Sequence, residues 1–291
     1  MREPKRMTSL VMHTARPTPL ANLLVPSHLV RTLWTRRELT TQFARRYFYA
    51  RYRGTHLGAV WAFISPLLML GVYTFVFNYV FRARNPSPDI TNSQFAVLLF
   101  CGISVYGIFS ESVSRSSTLV LDNPNYVKKV VFPIEVLPVS SVASSLMFSS
   151  FSLLLVVLGT FVAFGRVPWT VVLIPLVLLP LVFLSLGLAW FLASLGVFIR
   201  DISNLVVLLV SQLLFFLTPI FYRIENLPEG LRPIAVLNPL AHIVEGARRV
   251  LVLGQQPDWA ALGVVTLVGL LTMQLGYAWF MKSKRGFADV L

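Results

Sequence analysis

The sequence contains a long uncharged apolar run, residues 57–81, directly after an arginine-rich stretch at residues 36–53. A membrane hydrocarbon core is roughly 30 Å thick, and a helix needs about 20 apolar residues to cross it. The run exceeds that length, so it predicts a membrane-spanning helix. Composition agrees, because 56% of the residues are hydrophobic and only 13% are charged. The chain is therefore predicted to be an all-α, polytopic membrane protein.

Six apolar runs along the chain predict six transmembrane helices. They cover residues 57–81, 95–110, 139–164, 169–198, 203–222 and 259–281. The second run is short and rich in small residues, so its helix is expected to extend past Glu111, to tilt or to be re-entrant. The fourth run contains Pro175 and Pro180, which predict a kink unless both lie near the outer end of the helix.

The positive charges predict which ends of these helices face the cytoplasm. Most of the 25 Lys and Arg residues fall in segment 1–56, loop 111–138, the link at Arg200 and the C-terminal tail. Because positive residues favour the cytoplasmic side, both termini are predicted to face the cytoplasm. The net charge of +13 is attributed to topology and to contact with membrane lipids, and not to nucleic acid. Segment 223–258 is then the main external feature.

The region before the first run divides into a leader and an amphipathic helix. Residues 1–28 contain four prolines and few large apolar side chains, which predicts a flexible cytoplasmic leader without a removable signal peptide. Residues 29–56 are predicted to form an interface helix that lies flat on the membrane, and their aromatic residues favour membrane contact. Its predicted apolar stripe consists of Leu39, Phe43, Tyr47 and Ala50. A solvated basic helix that only sets topology is the alternative.

The predicted spans lack the residues that drive ion-coupled transport or catalysis. Their interiors contain no Asp, Glu, Lys or Arg, which disfavours transport coupled to protons or sodium ions. The sequence has no GxxxxGK[ST] phosphate loop, so a partner is expected to bind any ATP. The four histidines are scattered without metal-ligand spacing, and no paired-carboxylate motif is present. We therefore expect no catalytic residue, no metal site and no enzymatic activity in this chain.

Five sequence blocks are more specific than the apolar pattern. They are RYRGTHLGAVWAFISPLLMLGVYTFVF at 51–77, VKKVVFPIEVLPVSSVASSL at 127–146, FIRDISNLVVLLVSQLLFFLTPIFY at 198–222, LRPIAVLNPLAHIVEGARRVLV at 231–252, and FADVL at 287–291. In this order they resemble the permease subunit of type-2 ABC exporters, in the branch that exports polysaccharide, O-antigen and teichoic acid. The resemblance covers nearly all of the chain after the leader.

The resemblance implies a homodimer that docks two cytoplasmic ABC ATPase subunits. These partners would bind ATP and Mg²⁺, and the present chain would hold no cofactor. The six-helix domain would cover residues 57–281 and a cytoplasmic tail residues 282–291. The expected location is the inner (plasma) membrane of a bacterium, and the expected substrate is a lipid-linked glycan such as O-antigen. Export of a drug or small lipid, or an ATP-independent channel or scaffold, are the alternatives.

The resemblance also implies a cytoplasmic coupling helix between the second and third spans. The sequence independently predicts a polar cytoplasmic loop there. The residues expected to contact the ATPase are Asp122, Asn123, Tyr126, Lys128 and Lys129. A loop that is merely solvated is the alternative.

Basic and aromatic residues are the candidates for substrate contact. Arg51 and Arg53 are expected to attract the diphosphate head of a lipid-linked glycan. Sugars stack on aromatic rings, and the resemblance implies that the first and fifth spans line the conduit. The candidate lining residues are Trp61, Tyr73, Phe77, Phe215 and Phe216. Helix packing or an interfacial belt is the alternative for each ring, and the serines of the third run are expected to permit close helix contact.

Segment 223–258 resembles the two short gate helices of this family, which re-enter the membrane from outside. From the residues alone, Asn238 is expected to cap a helix with Pro239 in its first turn. Glu245 is spaced to pair with Arg249 on that helix. These four residues are the candidate external gate. An ordinary external amphipathic helix that packs on the spans is the alternative.

Overall fold

The computed structural model describes residues 26–76, 79, 90–127, 132–222, 228–230 and 232–290. Most of the predicted leader, together with Phe77, Lys128 and Lys129, lies outside the described residues. Every regular element within these ranges is helical. The helices are α1 (Pro26–Thr35), α2 (Arg37–Ala50), α3 (Trp61–Phe75), α4 (Asn92–Ser116), α5 (Pro124–Val127), α6 (Val136–Phe164), α7 (Ile174–Phe198), α8 (Ile202–Leu208), α9 (Phe215–Leu217), α10 (Arg232–Leu237), α11 (Pro239–Arg248), α12 (Trp259–Ser283) and α13 (Phe287–Val290).

Five helical segments in the described part of the chain are long and apolar enough to cross a membrane. They are Gly58–Phe75, Asn92–Ser116, Val136–Phe164, Trp169–Phe198 and Trp259–Gly286. The predicted span at residues 203–222 is instead a shorter apolar helix, Ile202–Leu217, with π-helical winding at Leu209–Leu214. It ends early because Thr218 precedes a proline and has an extended backbone (φ −84°, ψ 133°). The described residues thus contain five candidate spans and one shorter apolar helix, and the sixth span stays a prediction.

The second predicted span is a full-length helix, α4, which extends well past Glu111. A capping box begins it, because the Thr91 hydroxyl accepts a hydrogen bond from the Gln94 N–H and the Gln94 side chain accepts one from the Thr91 N–H. Of the candidate spans, α4 has the largest buried share. It therefore forms the centre of the bundle and is not a re-entrant segment.

The first predicted span begins after a glycine-containing turn. Gly54 and Gly58 have positive φ angles of 85° and 51°, which glycine adopts without the steric cost of a Cβ atom. They direct the chain from α2 into a 3₁₀ turn at Gly58–Val60 and then into α3. Of the candidate spans, this one has the smallest buried share.

Helices α7 and α12 approach each other closely. Gly187, Gly269 and Gly276 lie in the contact, and a Cβ on Gly269 would be only 2.9 Å from the Pro180 carbonyl oxygen. Small residues allow membrane helices to approach closely, so packing contacts can hold them together inside lipid. Pro180 lies within α7, whereas Pro175 occupies the first turn, where its missing N–H leaves no helical bond unmade.

Helix α6 packs through its serine-rich side. Of the seven serines predicted to permit close helix contact, six are buried and only Ser150 is exposed, which agrees with a packing role. The buried members are Ser140, Ser141, Ser144, Ser145, Ser149 and Ser152.

The N-terminal amphipathic region forms two helices and not one. Helices α1 and α2 meet at Arg36, whose backbone angles (φ −106°, ψ 13°) interrupt the helix. The predicted apolar stripe is half correct, because Phe43 and Tyr47 face inward whereas Leu39 and Ala50 are exposed. The inward side is displaced because α2 packs against α6 of the same chain.

Several aromatic residues of α2 contact other side chains of the same chain, whereas the sequence predicts contact with the membrane. The Phe48 ring stacks on Phe151 with centroids 6.3 Å apart, and the Phe43 ring lies 5.4 Å from that of Phe132. Tyr49 is exposed. Membrane contact therefore stays a prediction for the half-buried and exposed rings, whereas Tyr47 is buried within the chain.

The two ends of the bundle carry different features. We name as the tail end the one that contains α1, α2, the start of α6 and the C-terminal turn Lys284–Gly286, which meet around one carboxylate. The far end contains α10, α11 and the start of α12. The first and last described segments of the chain therefore lie at the same end.

Candidate functional site

The predicted coupling loop lies against α2 at the tail end. Arg46 donates a hydrogen bond from Nη1 to the Tyr126 hydroxyl at 2.6 Å. The Tyr126 ring also lies 5.4 Å from the ring of Phe43 and 4.5 Å from that of Phe132. Polar and aromatic contacts thus clamp α5 onto α2, so a displacement of the loop would also displace this helix.

Asp122 and Asn123 stabilise the turn before α5. The Thr118 hydroxyl donates a hydrogen bond to Asp122 Oδ2 at 2.9 Å. Asn123 Nδ2 donates to the Leu119 carbonyl oxygen, also at 2.9 Å. Asp122 is exposed and remains accessible to a partner, whereas the Asn123 side chain closes the turn.

The two arginines predicted to attract a substrate head group have different environments. Arg51 Nη1 lies 2.5 Å from Glu111 Oε1, and its guanidinium lies 4.1 Å from the ring centre of Phe148. These contacts balance its charge and hold the side chain between α4 and α6. Arg53 is exposed as well.

Phe215 and Phe216 belong to an aromatic cluster near the far end. The Phe215 ring lies 5.3 Å from that of Tyr106, 5.5 Å from Phe216 and 5.4 Å from Phe221. Phe215 packs against the core, whereas Phe216 is 66% exposed. The Tyr106 hydroxyl donates to the Val210 carbonyl oxygen, which ties α4 to the π-helical segment.

Trp61 and Tyr73 lie apart from that cluster. Both are half-buried on α3, and Tyr73 packs against the core of its own chain. The exposed residues of α3 include Leu68 and Val72. Among the described side chains, no ring contact joins Trp61 or Tyr73 to the cluster around Phe215. The structure therefore does not bring the four described lining candidates together, and Phe77 lies outside the described residues.

The predicted cap and charge pair at the far end are confirmed. Asn238 Oδ1 accepts a hydrogen bond from a backbone N–H in the first turn of α11 at 3.0 Å, and Pro239 occupies that turn. Glu245 Oε1 lies 3.7 Å from Arg249 Nε. Asn238 also donates to the Thr218 hydroxyl at 3.1 Å, which connects α11 to the end of α9. The gate role of these residues stays a prediction.

Arg248 is a candidate that the sequence analysis missed. Its exposed fraction is only 8%. Nε donates to the Leu98 carbonyl oxygen at 3.1 Å, Nη1 to that of Pro219 at 2.9 Å, and Nη2 to that of Ile220. A buried cation is costly unless hydrogen bonds satisfy it. This guanidinium therefore joins α11, α4 and the turn after α9. The one indication in the sequence was the spacing of Arg248 three residues after Glu245, which permits an ion pair on one side of the helix.

Glu135, immediately before α6, is a second missed candidate. It is only 3% exposed, and its two carboxylate oxygens accept hydrogen bonds from Arg36 Nη1 at 2.6 Å and from Lys284 Nζ at 2.8 Å. Burial raises the pKa of this carboxyl, but Lys284 and Arg36 outweigh burial, and the net pKa lies below its usual value. One carboxylate thus holds together the α1–α2 junction, α6 and the C-terminal turn.

The described residues contain no group of three or more His, Cys, Asp or Glu side chains placed to hold a metal ion. What they form is an apolar helical bundle with polar connections at both ends. Such an arrangement defines a polytopic membrane protein.

Comparison with known proteins identifies the family. The ABC-2 type transporter family description matches residues 38–252, which is more than half of the chain. The chain therefore belongs to the ABC-2 type transporter family of membrane subunits. The resemblance inferred from the five sequence blocks is confirmed.

Three relatives extend this similarity along most of the chain. The O-antigen export system permease protein RfbA of Myxococcus xanthus is 32% identical over 265 residues, which covers 90% of this chain and 98% of the relative. A protein of the same name from Klebsiella pneumoniae is 29% identical over 246 residues, 83% of this chain and 90% of the relative. The polysialic acid transport protein KpsM of Escherichia coli is 24% identical over 249 residues, 83% and 88% of the two chains.

Proposed function

We propose that the chain is the transmembrane subunit of an ATP-driven exporter that moves a lipid-linked polysaccharide, such as O-antigen, across the inner membrane of a bacterium. The observation that carries this proposal is the similarity, over most of the chain, to proteins named for export of O-antigen and transport of polysialic acid. Because the sequence has no phosphate loop, ATP and Mg²⁺ are assigned to a separate ATPase subunit.

Two copies of the chain are proposed to form the conduit. Support comes from an apolar groove of about 530 Å³ along α8, the π-helical segment and α9. Gln212 lines this groove and is exposed. A polar side chain that faces lipid is costly, so a water-containing path or a second copy is the better neighbour for this surface. The weakly buried α3 is the second helix proposed for the seam.

Two ATPase subunits are proposed to bind at the tail end, which would face the cytoplasm with both termini. The exposed Asp122 and the short helix α5 offer the contact surface. A movement of α5 would pass to α2 through the Arg46–Tyr126 hydrogen bond. From α2 it would pass to α4 through the Arg51–Glu111 ion pair. Within α4, Tyr106 contacts the π-helical segment, and such segments are frequent at functional sites.

The substrate is proposed to enter near Arg53 and to move along aromatic rings. Arg53 is accessible to a diphosphate head, and Arg51 could take part when its pair with Glu111 opens. Phe216 presents an exposed ring on the groove. Ring faces accept the C–H faces of successive sugars without tight hydrogen bonds. A polymer could therefore slide along this surface, with α10 and α11 as the external gate.

The test is to co-purify the chain with the ABC ATPase encoded beside its gene and to reconstitute the complex in nanodiscs. A complex with two copies of each subunit, whose ATP hydrolysis responds to lipid-linked glycan, is the expected result. Hydrolysis that responds to drugs or small lipids but not to glycan would contradict the substrate. Failure to bind any ATPase would contradict the exporter itself and favour a passive channel or scaffold.

A further inference from the structure

A cavity of about 340 Å³ lies at the far end, between α11 and the start of α12. Helix α11 provides one wall, and the segment before α12 provides the opposite wall. The turn after α9 closes one side through Pro219 and Tyr222. The polar lining residues are His242, Glu245, Arg249, Gln255 and Asp258. The volume lies at the lower end of the range for small-molecule sites.

The polar lining combines hydrogen-bond donors and acceptors with both signs of charge. Glu245 lies 3.7 Å from Arg249, a distance beyond a hydrogen bond. His242 Nε2 contacts the Val236 carbonyl oxygen at 2.7 Å, which leaves the other ring nitrogen for a ligand. Asp258 Oδ1 accepts from the Ala261 N–H, and its second oxygen can accept further bonds. The cavity therefore presents several adaptable polar groups.

This combination favours a neutral ligand rich in hydroxyl groups. A free anion would be repelled by Glu245 and Asp258, and a free cation by Arg249. A sugar hydroxyl both donates and accepts, so it can bond to carboxylate, amide, imidazole and guanidinium groups alike. Tyr222 offers an aromatic surface for the C–H face of a sugar ring.

The cavity is also connected to the groove proposed for the polymer. Arg248 bonds the carbonyl oxygens of Pro219 and Ile220, and the Tyr222 hydroxyl donates to the Phe216 carbonyl oxygen at 2.9 Å. Pro219 and Tyr222 line the cavity, whereas Phe216 lies on the groove. A ligand in the cavity would therefore contact the same turn that follows the exposed ring.

We propose that this cavity is a sugar-binding subsite, which holds one unit of the polymer as it leaves the groove. The inference rests on the proposed function, and it specifies where and by which residues the glycan is bound at the far end. Binding there would retain the emerging polymer and hold the turn after α9 in its present position.

The test uses the permease–ATPase complex in nanodiscs and short oligosaccharides released by mild acid from the surface polysaccharide of the source bacterium. Saturation-transfer NMR measures their binding. Ala261 lines the cavity, and Ala261→Trp fills it. Its neighbour Ala260 is exposed and does not line the cavity, so Ala260→Trp is the matched control. We expect binding at least about tenfold weaker in A261W, a loss of about 1.4 kcal/mol, and unchanged binding in A260W.

A second variant keeps the test decisive if the tryptophan disturbs folding. The double variant Gln255→Ala, Asp258→Asn removes one amide and one negative charge from the lining, while asparagine preserves the cap of α12. Equal binding by wild type and by this variant, or no binding by wild type, would overturn the subsite. Assembly with the ATPase and surface glycan in cells test the proposed function separately. A complex that assembles and exports without binding at the cavity overturns the subsite alone, whereas a chain that never assembles overturns the exporter.

Discussion

Replacing Glu135 with glutamine should loosen the tail end, and the magnitude follows from the environment of three side chains. Glutamine keeps the size of the buried group but removes the charge that Arg36 and Lys284 share. Charge-assisted hydrogen bonds contribute about 1.5–3 kcal/mol each, but the two cationic side chains are 35% and 29% exposed. Solvent screening lowers their share, so we expect E135Q to cost about 2 kcal/mol in total.

Thermal unfolding of the permease–ATPase complex in nanodiscs measures this loss. For a chain of 291 residues, about 2 kcal/mol corresponds to a decrease of roughly 3 °C in the melting temperature. Glu38 provides the control, because it is an exposed glutamate on α2. E38Q should melt within a degree or so of wild type. Equal melting temperatures for E135Q and E38Q would refute the reasoning that the carboxylate holds three segments together.

The pH dependence of the stability difference between wild type and E135Q provides an independent check. The folded-state pKa of Glu135 is depressed, so its stabilising contribution is present above the unfolded pKa and is lost as pH falls through the folded pKa. Wild type should therefore exceed E135Q in stability at neutral pH, and the difference should shrink on acidification below the usual glutamate pKa of 4.5. A difference that grows in acid would contradict this sign.

Three further predictions concern the other contacts. Arg248→Lys should lower the melting temperature by several degrees, because one ammonium cannot form the hydrogen bonds that the guanidinium makes to three carbonyl oxygens. Arg249→Lys, at the half-buried neighbouring position, should have little effect. Phe215→Ala should cost about 3 kcal/mol in thermal unfolding, whereas Phe216→Ala should preserve stability and reduce surface glycan in cells. Tyr126→Phe should lower glycan-stimulated ATP hydrolysis by roughly two- to fivefold, because it loses the Arg46 bond but keeps its ring contacts; unchanged stimulation would contradict the proposed clamp.

Local signals predicted most of the helices and one cap correctly. A continuous apolar run needs no tertiary information to be recognised, and Asn238 followed by proline specifies a helix start through its own backbone bonds. The early end of α9 was also readable, because Thr218 precedes a proline. Hydrophobicity alone continues past this point, which explains why the predicted fifth span was too long.

The two buried charges could not be predicted in the same way, because their partners are distant in sequence. Glu135 lies 99 residues from Arg36 and 149 from Lys284, and Arg248 lies 150 residues from the carbonyl of Leu98. From its neighbours in sequence, each residue is indistinguishable from an ordinary charged residue near a helix end. Only the packed bundle shows that it is buried and which segments it joins.

The apolar stripe of α2 illustrates a different limit. Periodicity predicts that one side of an amphipathic helix is buried, but not which neighbour covers it. Lipid was the expected neighbour, whereas the Phe43 ring contacts Tyr126 and Phe132 and the Tyr47 ring lies against Arg115. Leu39 is exposed. Successive residues on a helix are about 100° apart around its axis, so a buried side that is displaced by one residue turns by about 100°. The predicted stripe therefore failed at the positions where the covering surface determines burial.

Contacts near both ends of α4 and at its middle favour rigid transmission along this helix. Near its start, the Leu98 carbonyl binds Arg248 of α11, and near its end Glu111 binds Arg51 after α2. Between these points Tyr106 bonds to the π-helical segment. In the proposed exporter, a displacement of α2 by the ATPase would move α4 as a unit and would reach both the groove and the far end. Helix α4 is then the common element through which one ATP-driven movement could open the path and shift the turn beside the sugar subsite.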